Sequence, residues 1–393
     1  MNRRVVAILG TVTLAAVLVF GSGTAAFALV NGTNAGLTYS ADNTDVAAGA
    51  TVTGVAVPSA SVTIPDSVVI NGISYNVTAI GLAAFFADHT MTSVTIPNSV
   101  TSIGHDAFES VDLTSVTIPH SVTTIGDSAF QDNPSLTSVT LGDSVTSIGA
   151  AAFAQDALRS IAIPDSVTAI GNLAFFDNAG LTSVTLGDSV ATIGSDVFSG
   201  DPLTSVTIPG SVTSIGEEAF VGSAVLGSVT FLGAAPTTIG SSTIGQPFGN
   251  GTGLTLYYNW AYDASQVAGG FTTPTWRGYH TVEQATVSFN LDGHGSVVLP
   301  QNVTIGSTLT QPTEPAATGL AFTGWYTSPA LTTKFDFADP VTANTTLYAG
   351  WTALALTGVD ISPLTVPIGI GGVFLGIAFL IVAARRRPRH FAR

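Results

Sequence analysis

Along most of the chain the apolar positions fall in one recurring order. Between Leu136 and Phe153 they are Leu136, Val139, Leu141, Val145, Ile148 and Phe153, with Ser and Thr between them. Val139 and Leu141 flank Thr140, the alternation of a half-buried strand, and the Val, Thr and Ile content favours extended structure. Pro or Gly follows after Ile96, Ile118, Leu141, Ile163, Leu186 and Ile208, which bends the chain. A second extended piece of the SVTSI type comes next, and a Gly such as Gly149 ends it. No piece is long enough for a sustained helix.

The pattern repeats with a nearly constant period. The phenylalanines that close each copy, Phe85, Phe108, Phe130, Phe153, Phe175, Phe198 and Phe220, step by 23, 22, 23, 22, 23 and 22 residues. Ile-Gly pairs at Ile80, Ile103, Ile125, Ile148, Ile170, Ile193 and Ile215 keep the same steps. Such periodicity predicts a solenoid. One turn buries too few apolar side chains to offset the entropy of ordering it. The turns are therefore expected to stack, with strands in a parallel ladder and each Val, Ile and Phe held between its equivalents above and below.

The phrase LTSVTIPxSVTxIGxxAF resembles the BspA-type leucine-rich repeat of bacterial surface proteins. The likeness covers residues 29–282 and includes GLTYSADNTDVAAGATVTG as an entry cap and LTLYYNWAYDASQVAGGFTTPTWRGYHT as an exit cap. Caps are needed because an open solenoid end exposes apolar surface and unpaired edges. The implied fold class is mainly β, a leucine-rich-repeat solenoid of 22/23-residue turns with parallel strands. A signal helix is expected before it and a transmembrane helix near the C-terminus.

Residues 1–28 read as a signal peptide for general secretion: Arg3 and Arg4 precede the apolar run Val5 to Phe20, and Ala26 and Ala28 supply the small residues of a cleavage site. From 285 to 352 the period vanishes. Short strands between Gly, Asp and Pro turns carry Gly324-Trp325-Tyr326, Phe335-Asp336-Phe337 and Leu347-Tyr348-Ala349-Gly350-Trp351. This segment resembles one Listeria-Bacteroides repeat, the small β-grasp-like module of internalin-type surface proteins, although Asn290 to Gly295 departs from the usual Asn-Gly-Gly turn. Residues 354–393 then run Leu354-Ala355-Leu356-Thr357-Gly358, a 19-residue apolar span at 366–384, and a tail with Arg385, Arg386, Arg387, Arg389 and Arg393. The span is long enough to cross a bilayer and the arginines hold the tail inside. Pentapeptide, span and basic tail in that order resemble a sortase sorting signal of the LAxTG type used by class E sortases of high-GC actinobacteria. The resemblance implies cleavage between Thr357 and Gly358, with sortase and cell-wall peptide as partners.

Charge narrows the partners. Only Arg159, Arg277 and Lys334 are basic between residues 29 and 357, against 24 acidic residues, a net charge of −21. That excludes a basic face for nucleic acid or anionic lipid. Cysteine is absent, so disulfides and thiolate metal sites are excluded. No HExxH, phosphate loop or GxSxG motif occurs, and His89, His105, His120, His280 and His294 share no metal-ligand spacing. No enzyme, metal or cofactor is expected.

The candidate binding face comes from the positions that alternate with buried ones. Ser93, Ser115, Ser138, Ser183 and Ser205 share one column with Ser160 and Ser228, and Thr95, Thr117, Thr140, Thr185 and Thr207 share the next with Thr230. A hydroxyl-lined sheet could bind a polymer or a protein; the plainer reading is that small β-formers suit a solvent-facing ladder. A Ser-x-Thr array at about 4.8 Å spacing also resembles, loosely, the faces of ice-binding β-solenoids. Two rows of acids, Asp66, Asp143, Asp165 and Asp188 after the bend and Asp88, Asp132, Asp156, Asp177 and Asp201 after the Phe, are readable as calcium ligands or as turn caps. In Phe85-Phe86 and Phe175-Phe176 one ring could turn outward as a binding anchor; the plainer reading is a better-packed turn. The chain thus reads as a monomeric, exported, wall-anchored surface protein of a Gram-positive bacterium that offers its solenoid to an extracellular protein or glycan. A structural coat or spacer, or a single-span plasma-membrane protein, are the alternatives.

Overall fold

The computed structural model describes residues 29–222, 225–240, 246–249 and 253–354. The signal segment with Ala26 and Ala28, the motif residues Ala355, Leu356, Thr357 and Gly358, and the span 366–384 lie outside the described residues. Among the described residues no helix is long and apolar enough to cross a membrane. The only helical pieces described are two three-residue 3-10 turns, Val46–Ala48 and Trp260–Tyr262.

The repeats form a parallel-strand solenoid held by three backbone ladders. One is a 12-stranded sheet that starts with the antiparallel strands Leu29–Asn34, Leu37–Asp42 and Ala50–Val55. It continues in parallel through Ile73–Ile80 and dipeptide strands such as Ser102–Ile103, Thr124–Ile125 and Ser147–Ile148 to Thr238–Ile239. A threonine just before most of these strands, for example Thr123, donates its hydroxyl to the equivalent carbonyl one turn back, Thr101 O at 3.2 Å. The glycine that ends each strand is required by the approach of the turns: a Cβ on Gly104 would sit 2.8 Å from the carbonyl carbon of Gly81, and one on Gly171 2.6 Å from Ala150 N.

The second ladder is the Ser/Thr-faced strand, and the third carries no regular strand at all. In the turn around each Phe, the residues two before and two after have positive φ, from Ser128 at 49° and Leu173 at 60° to Gly200 at 86°. Left-handed backbone costs an ordinary residue roughly 1–2 kcal/mol. Hydrogen bonds to the next turn offset it: Ser128 N, Phe130 N and Asp132 N donate to the carbonyls of Ala150, Ala152 and Ala154 at 2.7, 2.8 and 2.9 Å.

Inside, Phe85 to Phe220 are all at most 1% exposed. Their rings stack from turn to turn with centroids 4.9 to 5.5 Å apart, and Phe248 extends the stack. Beside them runs a polar column three residues after Phe130, Phe153, Phe175 and Phe198: Asn133 and Asn178 are 0% exposed, Asp156 5% and Asp201 0%. Asn133 N donates to Asp156 Oδ1 at 2.8 Å and Asn178 N to Asp201 Oδ1 at 2.7 Å. The Asn133 amide in turn donates to Phe108 O and the Asn178 amide to Phe153 O, both at 3.0 Å.

The solenoid runs directly into the following sheet. Strand Tyr279–Asn290 pairs in parallel with the last solenoid strand, Thr255–Asn259, through His280 to Gln284. The same strand then pairs in parallel with Thr345–Ala353 through Val287 to Asn290, and antiparallel with Gln301–Thr304. Leu320–Tyr326 closes the sheet against Thr345–Ala353. The segment 283–284 is therefore part of a shared strand, and a second small core around Trp325, Leu347 and Val287 begins where the first ends.

Candidate functional site: the hydroxyl face

The three-residue strands of the second ladder expose their first and third residues and bury the second: Ser115 and Thr117 are exposed around Val116, and Ser138 and Thr140 around Val139. The same holds at Ser160–Ala162, and at Ser205–Ile208 with Thr207 outward. Ser93, Thr95, Ser183 and Thr185 are exposed too, but Val94 and Val184 between them are only half-buried.

The pairing of these strands follows the length of the turn. Strands pair where the turn is 23 residues long, as in Ser115↔Ser138, Ser160↔Ser183 and Ser205↔Ser228. Where the turn is 22 residues, from Ser93 to Ser115, Ser138 to Ser160 and Ser183 to Ser205, the strands are not paired, and the face splits into two-strand ribbons before Ser205 and a longer sheet after it. A single bond, such as Thr114 N to Thr92 O at 3.2 Å, ties the turns just before the split. At each split the earlier strand lets solvent reach apolar side chains: Ile96 and Leu186 are 8% and 7% exposed, while Ile118 and Ile208 are 1%. The first split opens into a shallow hollow of about 420 Å³ floored by Val94, Ile96 and Val116 and edged by Thr95, Thr117 and His120. The even spacing that an ice lattice would need is interrupted every second turn.

The two acid rows take different places. The residues after the Phe do not form one row: Asp132 and Asp177 stand two positions on, exposed and with positive φ, whereas Asp156 and Asp201 stand three on, inside the core. Burial pushes the Asp156 carboxyl well above the ordinary carboxylate range and lifts Asp201 to about 8, against the lowering effect of the backbone N–H each accepts. These carboxyls are core groups that cap the neighbouring turn. At the bend, Asp188 N donates to Asp165 Oδ1 at 2.8 Å, an inter-turn cap. Among the described residues no cluster of three His, Asp or Glu side chains could hold a metal ion. Three histidines stand against an aspartate of the next turn, His89 with Asp112, His105 with Asp127 and His120 with Asp143, at 3.8, 3.5 and 2.7 Å, all largely exposed.

Of the doubled aromatics, Phe86 turns outward, 52% exposed beside Leu82 at 70%, while Phe85 is buried, against the better-packed reading; Phe176 is half-buried beside buried Phe175. Leu354, the first residue of the sorting motif, is 57% exposed, and its N–H donates to Gly319 O at 2.9 Å.

Comparison with known proteins agrees with this architecture. Residues 67–179 and 146–246 match the BspA type Leucine rich repeat region, in six copies, and residues 286–350 match the Listeria-Bacteroides repeat domain. The solenoid is a BspA-type leucine-rich repeat region, and the sheet that follows is a Listeria-Bacteroides repeat domain. A 71-residue stretch is 42% identical to a protein of Evansella cellulosilytica named as a membrane protein, covering 18% of this chain and 10% of that one. A 93-residue stretch is 36% identical to internalin H of Listeria monocytogenes, covering 23% of this chain and 16% of that one. The chain thus spans only a small part of the curated relatives it matches. Among solved structures, a leucine-rich repeat protein from Bacteroides ovatus is 23% identical, with 64% of this chain and 78% of that chain covered and a TM-score of 0.41.

Proposed function

We propose that this is a non-catalytic surface protein, exported and joined to the cell wall, that binds an extracellular protein or glycan through the hydroxyl face of its solenoid. The observation that carries the reading is the two-turn corrugation of that face. Each pair of turns presents a ribbon of Ser and Thr hydroxyls and then a slot at which one apolar side chain, Val94, Leu141 or Val184, is only partly buried. Hydroxyls beside apolar slots, repeated along one line, suit a ligand that itself repeats. We read the mixed strand order of 285–352 as the β-grasp-like spacer of such proteins, and Leu354 to Gly358 as the sorting motif of a class E sortase. Attack of the sortase cysteine on the Thr357 carbonyl would form a thioester, which a wall amine then resolves.

Two measurements test this. The native gene and a Thr357→Ala version are expressed in the source organism, membranes are stripped with detergent, and the wall is probed for the protein. Retention of the native form and loss of the variant is expected; equal loss of both makes the 366–384 span the anchor. Binding of the detergent-solubilised full chain to isolated wall glycans, matrix proteins and neighbouring cells is then compared with that of a Thr117→Val, Thr140→Val variant. Saturable binding weakened by the double variant is expected, and uniform absence of binding makes the protein a coat or spacer.

A further inference from the structure

At the junction of solenoid and repeat domain lies a groove of about 450 Å³, within the range of small-ligand clefts. Its lining contains no Asp, Glu, Lys, Arg or His, in a stretch of chain that otherwise carries 24 acidic residues. The floor belongs to the outer side of the shared sheet, where Thr230, Asn259 and Gln284 sit on neighbouring strands and Asn259 is registered with Gln284.

Three amides of the groove, Asn259, Asn302 and Asn344, are held in place before any ligand arrives. Asn259 Nδ2 donates to Thr286 Oγ1 at 2.8 Å and to Asn344 Oδ1 at 3.0 Å, and Asn344 Nδ2 returns a bond to Asn259 Oδ1 at 2.7 Å. Thr286 N donates to Asn344 Oδ1 at 2.8 Å, and Thr286 Oγ1 to Asn302 Oδ1 at 2.8 Å. This network joins the solenoid's last strand to the repeat domain and fixes the amide planes. It leaves the Gln284 amide and the Asn302 Nδ2 group facing the groove with no hydrogen bond among the described residues. Tyr262 and Leu232, the latter 50% exposed, add an apolar wall.

We propose that this groove binds a neutral glycan. Asn302, held through its Oδ1, offers an Nδ2 donor, and the neighbouring Gln284 side chain offers a donor and an acceptor to adjacent sugar hydroxyls. The rigid placement of Asn302 lowers the entropy cost of binding, and an aromatic wall accepts the apolar face of a pyranose. A charged polysaccharide finds no counter-charge here. An extended peptide is a poorer fit, because Thr255–Asn259 is already paired on both sides and offers no free strand edge. The site is separate from the slots of the hydroxyl face and does not depend on their binding anything.

The test uses the full-length chain with maltohexaose, cellohexaose and N-acetylchitohexaose as probes, and polygalacturonate and a neutral Gly-Ser-Asn hexapeptide as controls, followed by saturation-transfer NMR and titration. Saturable binding of at least one neutral hexasaccharide is expected, weakened roughly tenfold or more by Gln284→Leu and by Asn302→Ala. Both substitutions are on the surface, and circular dichroism checks that each variant keeps its fold. Binding should be unchanged by Thr117→Val, Thr140→Val. Failure of all three sugars, equal binding of a control, or insensitivity to both groove substitutions overturns the site. If sugar binding instead falls with the Thr117 and Thr140 changes alone, the groove is wrong and the hydroxyl-face reading stands.

Discussion

Truncating Phe153 removes a ring stacked on Phe130 and Phe175, so Phe153→Ala should cost about 3–5 kcal/mol. Thr140→Ala on the open face should stay within about 0.5 kcal/mol. Urea denaturation of the two variants checks the in and out assignment; equal losses would refute it. Buried Asp201 predicts an unusual pH dependence. Its folded pKa is raised from 3.8 to about 8, so the folded chain holds a proton that the unfolded chain releases near pH 4. The stability it contributes is fully present below pH 4 and is lost as pH rises through 8, and Asp156 acts in the same direction. Thermal melts should therefore give a lower Tm at pH 8 than at pH 5. Asp201→Asn should flatten that slope, since Asn already occupies this column at 133 and 178. A melt that rises between pH 5 and 8 and is unaltered by Asp201→Asn would contradict it. The columns of Phe and of Ser and Thr were legible because they recur in phase. The core column was not, since the acids two and three residues after the Phe look alike in sequence and only the left-handed turn sends one out and the other in.

At the scale of the element, the alternation of 22 and 23 residues decides which face strands hydrogen-bond. Sequence shows the alternation plainly but not its effect, because one residue fewer in a turn changes register only on the face where the shortfall is absorbed. The dipeptide ladder stays unbroken on the other side because its glycines let the turns close up. That predicts a sharp cost for filling the gap. Gly171→Ala puts a methyl 2.6 Å from Ala150 N, a rigid backbone atom, although no positive φ is involved. The substitution should destabilise by about 1–3 kcal/mol as overpacking, read by denaturant titration, with amide exchange quickening in the adjoining turns. No loss would mean that the turns are less closely stacked than described.

For the whole molecule, the shared strand Tyr279–Asn290 puts the last face strands of the solenoid, Ser205–Ile208, Ser228–Phe231 and Thr255–Asn259, into one sheet with the repeat domain. Cutting between 282 and 285 would leave each half with an unpaired edge and split the Asn259–Asn344 pair. Hydrogen exchange should show weaker protection at 285–290 and at 345–348 in the isolated 285–354 fragment than in the intact chain; equal protection would make the two parts independent. Circular dichroism of the secreted chain should be strand-dominated. The sequence by itself determined the stacked mainly-β solenoid, its buried phenylalanines and its Ser/Thr columns, because each turn repeats one apolar order that is stable only when stacked. Only the tertiary structure decided where the face splits, which acids are buried, and how the last solenoid strand joins the next domain. Those depend on contacts between residues some 22 or 85 positions apart, which no local pattern encodes.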